Sequence, residues 1–147
     1  MSGDVSPAAD ASFPGPQGYS DRKAVLVIRQ SLDDDAVEAV VGEHGTGMIH
    51  LAQRPERAAQ MRDGQFRFGG VLANVMAKRV GIERRGDEFA IFISLEGEPL
   101  HQFGPPITVH MAKEVYGGIG FCSHLPATID TAVFSNVSLE NQAGKLR

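Results

Sequence analysis

The stretch from Arg79 to Leu95, RVGIERRGDEFAIFISL, constrains the fold more than any other. Two period-two runs flank a glycine-bearing reversal at Gly86-Asp87. In the first run, Val80, Ile82 and Arg84 oppose Arg79, Glu83 and Arg85; in the second, Phe89, Ile91 and Ile93 oppose Ala90 and Phe92. A two-stranded ribbon of this kind is stable only when one face is covered by another layer. The rest of the chain must therefore supply that layer.

Further strands are predicted on both sides. Residues 23–30, KAVLVIRQ, are almost wholly apolar and suit a central strand covered on both faces. Residues 36–43 place Val37, Ala39 and Val41 on one side, and residues 48–54 return after the turn His44-Gly45-Thr46-Gly47. Residues 65–68, QFRF, alternate as a short edge strand with Phe66 and Phe68 inward. After a second reversal through Gly97, residues 100–104 look irregular, and strands are predicted at 107–111, 116–123 and 132–139. Gly117, Gly118 and Gly120 inside one of these suggest a bulge or a close backbone approach. Only residues 55–64 and 73–78 have any helical character, and both are short. Eight to ten short strands without a fixed repeat define an all-β sandwich or barrel.

The chain of 147 residues makes one domain. Residues 1–18, rich in Pro, Gly and Ala, read as a flexible tail that Phe13 and Tyr19 can pin to the body. The sandwich is expected over 19–140, and 141–147 as a C-terminal tail. Net charge is -4 with basic and acidic residues interspersed, which disfavours nucleic acid as a partner. No segment is long and apolar enough to span a membrane, and the first residues lack the basic and apolar parts of a signal peptide, so the sequence as it stands reads as cytoplasmic. The single cysteine, Cys122, lies beside Phe121 and is expected to pack as a small hydrophobe.

Candidate chemistry is sparse. Asp33, Asp34 and Asp35 lack the alternation of a calcium loop and read as a solvated turn. Glycoside hydrolysis needs two carboxylates facing a sugar; of Glu83, Glu88, Glu96 and Glu98, only Glu83 sits inside a regular strand. Cys122 and His124 share a strand face but show no orienting third group. His44 and His124 could meet with Asp130 around a metal, although separate structural roles fit five dispersed histidines better. No catalytic residue, metal or cofactor is assigned. With no tryptophan, sugar stacking falls to Tyr116 or an exposed phenylalanine. Edge strands make protein contact the easier role to support.

Four segments taken in order, KAVLVIRQSL (23–32), HGTGMIHLAQR (44–54), VGIERRGD (80–87) and YGGIGFCSHLPATIDTAVFSNV (116–137), resemble a bacterial domain family. This is the concanavalin A-like jelly-roll domain appended to Tol-type β-propeller "biopolymer transport" proteins, similar also to regulation-of-enolase-like and laminin-G-like sandwiches. The resemblance implies a non-catalytic accessory domain, often exported to the periplasm or beyond, that contacts protein or weakly binds carbohydrate. Its alternative form is a glycan-cleaving enzyme or a remnant of one. The positions that match its motifs include Arg29, His44, Arg54, Arg84, Asp87, Ser123, His124 and Asn136, polar residues expected first to keep the fold; His44, Arg54 and His124, together with the aromatic Tyr116, are the candidate ligand-binding positions. Thr46 departs from an acidic position of the pattern. The family's first strands are replaced here by the residue 1–18 tail, which implies a shortened sandwich with an exposed edge and possible pairing with a second copy.

Overall fold

The computed structural model describes residues 1–15, 18–68, 76–96 and 98–146, with the backbone alone at 65–68. Among these residues there is no helix. Ten strands run in order: β1 (Ser6–Ser12), β2 (Lys23–Arg29), β3 (Glu38–His44), β4 (Met48–Arg54), β5 (Arg62–Phe68), β6 (Arg79–Arg85), β7 (Glu88–Ser94), β8 (His101–Thr108), β9 (Tyr116–Cys122) and β10 (Val133–Glu140). They form two antiparallel five-stranded sheets, β10-β1-β6-β7-β8 and β5-β4-β3-β2-β9, which pack as a β-sandwich. Alternate residues of the two inner faces make the core. Leu26, Ile28, Val41, Ile49 and Leu51 come from one sheet, and Val5, Val80, Ile82, Phe89, Ile91 and Ile93 from the other.

The alternation about Gly86 holds: Gly86 has φ 62°, and β6 and β7 pair in unbroken register from Arg79↔Ser94 to Arg85↔Glu88. The two ends of the chain differ from the sequence reading. Residues 6–12 are not a tail but β1, paired with β10 on one side and β6 on the other. The strand SPAADAS lacks bulky residues because it sits in a crowded place: Ala8 and Ala9 are fully buried. Its proline is tolerated because β6 pairs only across Ala8–Asp10 and again at the isolated bridge Val5↔Arg84, leaving Pro7 between them. Met1 exchanges backbone hydrogen bonds with Val115, and the Arg22 guanidinium lies 4.6 Å over the Phe13 ring. Residues 141–146 likewise fold back. The Gln142 carbonyl accepts from Ser6 Oγ at 2.7 Å, the Gly144 N–H donates to Glu83 Oε2 at 2.6 Å, and Leu146 is buried with Ala8, Ala90 and Phe92. Gly81 is needed beneath it, since a Cβ there would stand 2.8 Å from Leu146 Cδ1.

Other corrections are local. β2 buries Ala24, Leu26 and Ile28 on one face only, its other face being half-exposed. Residues 101–104, expected to be irregular, belong to β8, which ends at Thr108. As an edge strand it accommodates Pro105 and Pro106 through an irregularity opposite Phe89/Ile91. β9 pairs with β2 without a bulge; its glycines instead admit neighbouring side chains, Val25 at Gly120 and Leu139 at Gly117, each 3.1 Å from where a Cβ would be. Cys122 is exposed, not packed, because it closes an edge strand on the outward face. No helix forms at 55–64. The predicted helical patch at 73–75, the turn at Gly97 and the facing of Phe66 and Phe68 lie outside the described residues.

One core position breaks the apolar rule. Glu43, on the inward face of β3 between Ala24 and Ile49, is fully buried, and neither carboxylate oxygen has a hydrogen-bond partner among the described residues. Burial pushes its pKa up to about 8. The folded state thus holds a proton that the unfolded chain releases near its ordinary 4.5. This contribution is complete below that pH and is lost as pH rises through 8, by up to roughly 5 kcal/mol. Its neighbour His44 acts oppositely: burial and the adjacent His50 pull it to about 4, so its contribution is complete above 6.5 and lost as pH falls through 4. The two slopes oppose each other at mildly acidic pH, leaving Glu43 dominant above it. Urea denaturation of the parent is expected to show stability declining between pH 6.5 and 8, and Glu43→Gln to flatten that decline; an equal slope in both proteins contradicts this account.

Candidate functional site

The outer face of the β5-β4-β3-β2-β9 sheet collects most of the side chains with chemical potential. Register sets Tyr116, Arg29, Glu38 and Arg54 in a single cross-strand row on β9, β2, β3 and β4. Glu38 sits between two guanidiniums, its Oε2 3.7 Å from Arg29 Nε and its Oε1 3.3 Å from Arg54 Nη1. Arg54 also donates to the carbonyls of Asp34 (2.8 Å), Ala36 (3.0 Å) and Ala59 (3.2 Å), tying two loops to the strand. Arg29 donates to the Asp33 carbonyl. The acidic run is charge-paired: Asp33 and Asp35 face Arg57 at 3.5 and 3.0 Å. Tyr116 is half-exposed at the end of the row, and the next residues of β9 on its face are Gly118 and Gly120. The result is an aromatic ring beside a low shelf of backbone, against which Val25 and Val27 of β2 lean from the side.

At the other end of the same face, Cys122, Lys23 and His44 form a row. His44 Nε2 lies 2.9 Å from His50 Nδ1, and its Nδ1 lies 3.4 Å from Asp21 Oδ1. Burial lowers the pKa of both histidines, favouring neutral rings that share a proton. Arg22 is buried nearby, donating to Asp130 Oδ2 at 2.9 Å and to the Gly15 carbonyl at 2.6 Å; this hydrogen bond holds Asp130 below the usual carboxylate range. Gly18 allows Arg22 through, since a Cβ there would fall 1.8 Å from its Nη1. His124, with φ 68°, tilts its ring against Tyr19 at 5.8 Å. His44, His124 and Asp130 each take a different partner here. Among the described residues no group of three His, Cys, Asp or Glu side chains is placed to hold a metal ion.

A hollow of about 470 Å³ lies on the outer face of the other sheet, with Glu83, Glu88, Phe92, Gln102 and Leu146 in its walls. It brings together the two carboxylates a hydrolase would use, but Glu83 is committed. Its Oε1 accepts from Arg85 at 3.0 Å, and its Oε2 accepts from Ser6 at 3.3 Å and from Gly144 at 2.6 Å. Neither oxygen is left to meet a substrate.

The remaining residues singled out by sequence lie at turns and strand ends. Arg84 is buried and donates to the carbonyls of Gly86 (2.7 Å), Ala112 (2.9 Å) and Met111 (3.0 Å). Asp87 accepts from His110 at 2.8 Å, Ser123 Oγ donates to the Leu125 carbonyl at 3.1 Å, and Asn136, at φ 49°, donates to Asp10 Oδ2 at 2.7 Å. Burial pushes Asp10 up, but hydrogen bonds from Arg79 and Asn136 outweigh it and leave the carboxyl below its ordinary range. Sequence reasoning missed Glu38 and Arg22. The outward parity of Glu38 relative to Val37, Ala39 and Val41 signalled the first, whereas nothing local marks Arg22. No protein-family model matches this sequence, and comparison with curated proteins finds no relative.

Removing Arg84 leaves three carbonyls around a buried corner without their donor. Arg84→Ala is expected to lower unfolding stability by about 3 kcal/mol in chemical denaturation, whereas Asp87→Ala, at an exposed pair, changes it by less than about 1 kcal/mol.

Proposed function

We propose that this chain is a non-catalytic accessory domain of the concanavalin A-like jelly-roll type, and that it binds carbohydrate weakly on the outer face of β2, β3, β4 and β9. The observation that carries this reading is the row Tyr116–Arg29–Glu38–Arg54 beside the low, valine-flanked shelf of Gly118 and Gly120. A pyranose ring has an apolar face that stacks on an aromatic side chain and a rim of hydroxyls that hydrogen-bond to guanidinium and carboxylate groups. The shelf gives such a ring room to lie flat against Tyr116. Few contacts are available on an open face, which makes the affinity low. Both oxygens of Glu38 face arginines, so the row supports binding and supplies no free acid or base.

The second reading, a glycan-cleaving enzyme or its remnant, has one observation in its favour, the shared hollow of Glu83 and Glu88. The donors that occupy Glu83 weigh against it.

A glycan array followed by affinity electrophoresis in the retained polysaccharide tests the proposal. Tyr116→Ala is expected to weaken retention at least about tenfold with an unchanged melting temperature, because the ring is half-exposed. Failure to retain any glycan, or retention indifferent to Tyr116, overturns it. Release of reducing sugar that disappears in Glu83→Gln would instead support the hydrolytic reading.

A further inference from the structure

β10 and β9 are the outermost strands of their sheets on the same side of the sandwich, next to β1 and β2, which pack against each other. On this side the interior is not closed. Register turns Ile119 and Phe121 of β9 and Leu139 of β10 toward the space between the layers, where they pair across from Leu26, Ala24 and Pro7; Val137 follows the parity of Leu139. Yet these four side chains are 49%, 36%, 49% and 53% exposed, respectively. A cleft of about 170 Å³ opens between Ile119, Val137 and Leu139, and at its floor is Leu26, a core residue. Both strands also present a free backbone edge, a template that proteins ordinarily guard with lysine, proline or a covering segment. Neither strand carries a lysine or a proline, and among the described residues the only segments that reach this side are Met1 and Ser2 at one end and Phe13, whose ring lies 6.4 Å from that of Phe121, at the other. Between Val115 and Leu139 the only formally charged residue at neutral pH is Asp130, which Arg22 neutralises at 2.9 Å.

We propose that this open side is a dimer interface whose occupant is a second copy of the chain. Charge selects the partner. The molecule carries a net charge of -4, yet β9 and β10 together hold one formal charge, Glu140 at the end of β10, which an antiparallel β10–β10 pairing keeps apart from its counterpart; two copies meet here with little like-charge repulsion, and a strongly charged partner gains nothing. Symmetry fits as well. A two-fold axis perpendicular to the layers sets each edge strand antiparallel to its own counterpart, β10 against β10 and β9 against β9. The contact is then isologous and closed, and the edges are consumed rather than propagated. Ile119, Val137 and Leu139 of both copies fill the joint cleft and complete the core that each copy leaves open, with Phe121, already against Phe13 of its own chain, at its margin. This arrangement does not rest on saccharide binding.

Size-exclusion chromatography with light scattering reads it directly: the full chain is expected at twice its 15.8 kDa mass, shifting toward the monomer on dilution. Val137→Lys and Ile119→Lys alter side chains already half-exposed, so circular dichroism should be unchanged while dimerisation weakens at least about tenfold. Met61→Lys, at an exposed position just before β5 on the opposite edge of the sheet, is expected to remain dimeric. Hydrogen exchange provides the second measurement, with amides of Val133–Glu140 slower in the parent than in Val137→Lys. A monomeric mass at every concentration, a dimer that survives both lysine substitutions, or β10 amides that exchange equally fast in parent and variant each overturns the proposal.

Discussion

Every strand in this molecule depends on the exclusion of water from the space between its two layers. A single sheet of five strands has a full apolar face to hide, and neither sheet can hide it alone. Leu26, Ile28, Val41, Ile49 and Leu51 close against Val5, Val80, Ile82, Phe89, Ile91 and Ile93, and the hydrogen-bonded ladders are fixed in register by that closure. A slip of one residue in β6 would turn Val80 and Ile82 outward and bring Arg79 and Glu83 inward. The polar face that results is what makes a site possible, because the same alternation that buries Leu26 turns Val25, Val27 and Arg29 to the solvent side of β2.

The parts of the fold legible in the sequence are those where bulky apolar residues alternate. The ribbon of β6 and β7, the pair β3 and β4, and strands β2, β9 and β10 announce themselves through Ile, Val and Phe. β1 was illegible for a physical reason. Its contribution is smallness: Ala8 and Ala9 lie fully buried, and Ala8 sits under a docked Leu146, so the composition that marks a linker also marks a strand in a tight slot. The C-terminal segment was hidden for a similar reason, since Gly144 acts through its N–H on Glu83 rather than through a side chain. The order of strands within each sheet, in contrast to the two-layer architecture, depends on which strands cross between sheets, and no local pattern encodes that.

The candidate site was legible only in pieces. Tyr116 and Arg54 stand apart by 62 positions of sequence, and only the registers of β9 with β2, β2 with β3 and β3 with β4 bring them into one row with Arg29 and Glu38. From sequence His44 and His124 could meet at a metal, although separate roles fit better; in the structure His44 pairs with His50, the third residue of the next strand, and His124 turns to Tyr19. Pairings between residues near in sequence were within reach; those that depend on long-range register were not. Arg22 illustrates the second kind, since its partner Asp130 lies on a loop more than a hundred residues away.

The placement of β1 has a consequence for how the molecule is assembled in a cell. Among the described strands it comes first in the chain, yet its two neighbours are β6 and β10, so it is enclosed on both sides only once the last of them is in place. β2 waits likewise for β9. Closing these pairs joins segments far apart in sequence, the slow kind of contact, and until they close the inner faces of the earlier strands stay uncovered. A chain wired in this manner relies on chaperone shelter during elongation more than one whose neighbouring strands are also consecutive.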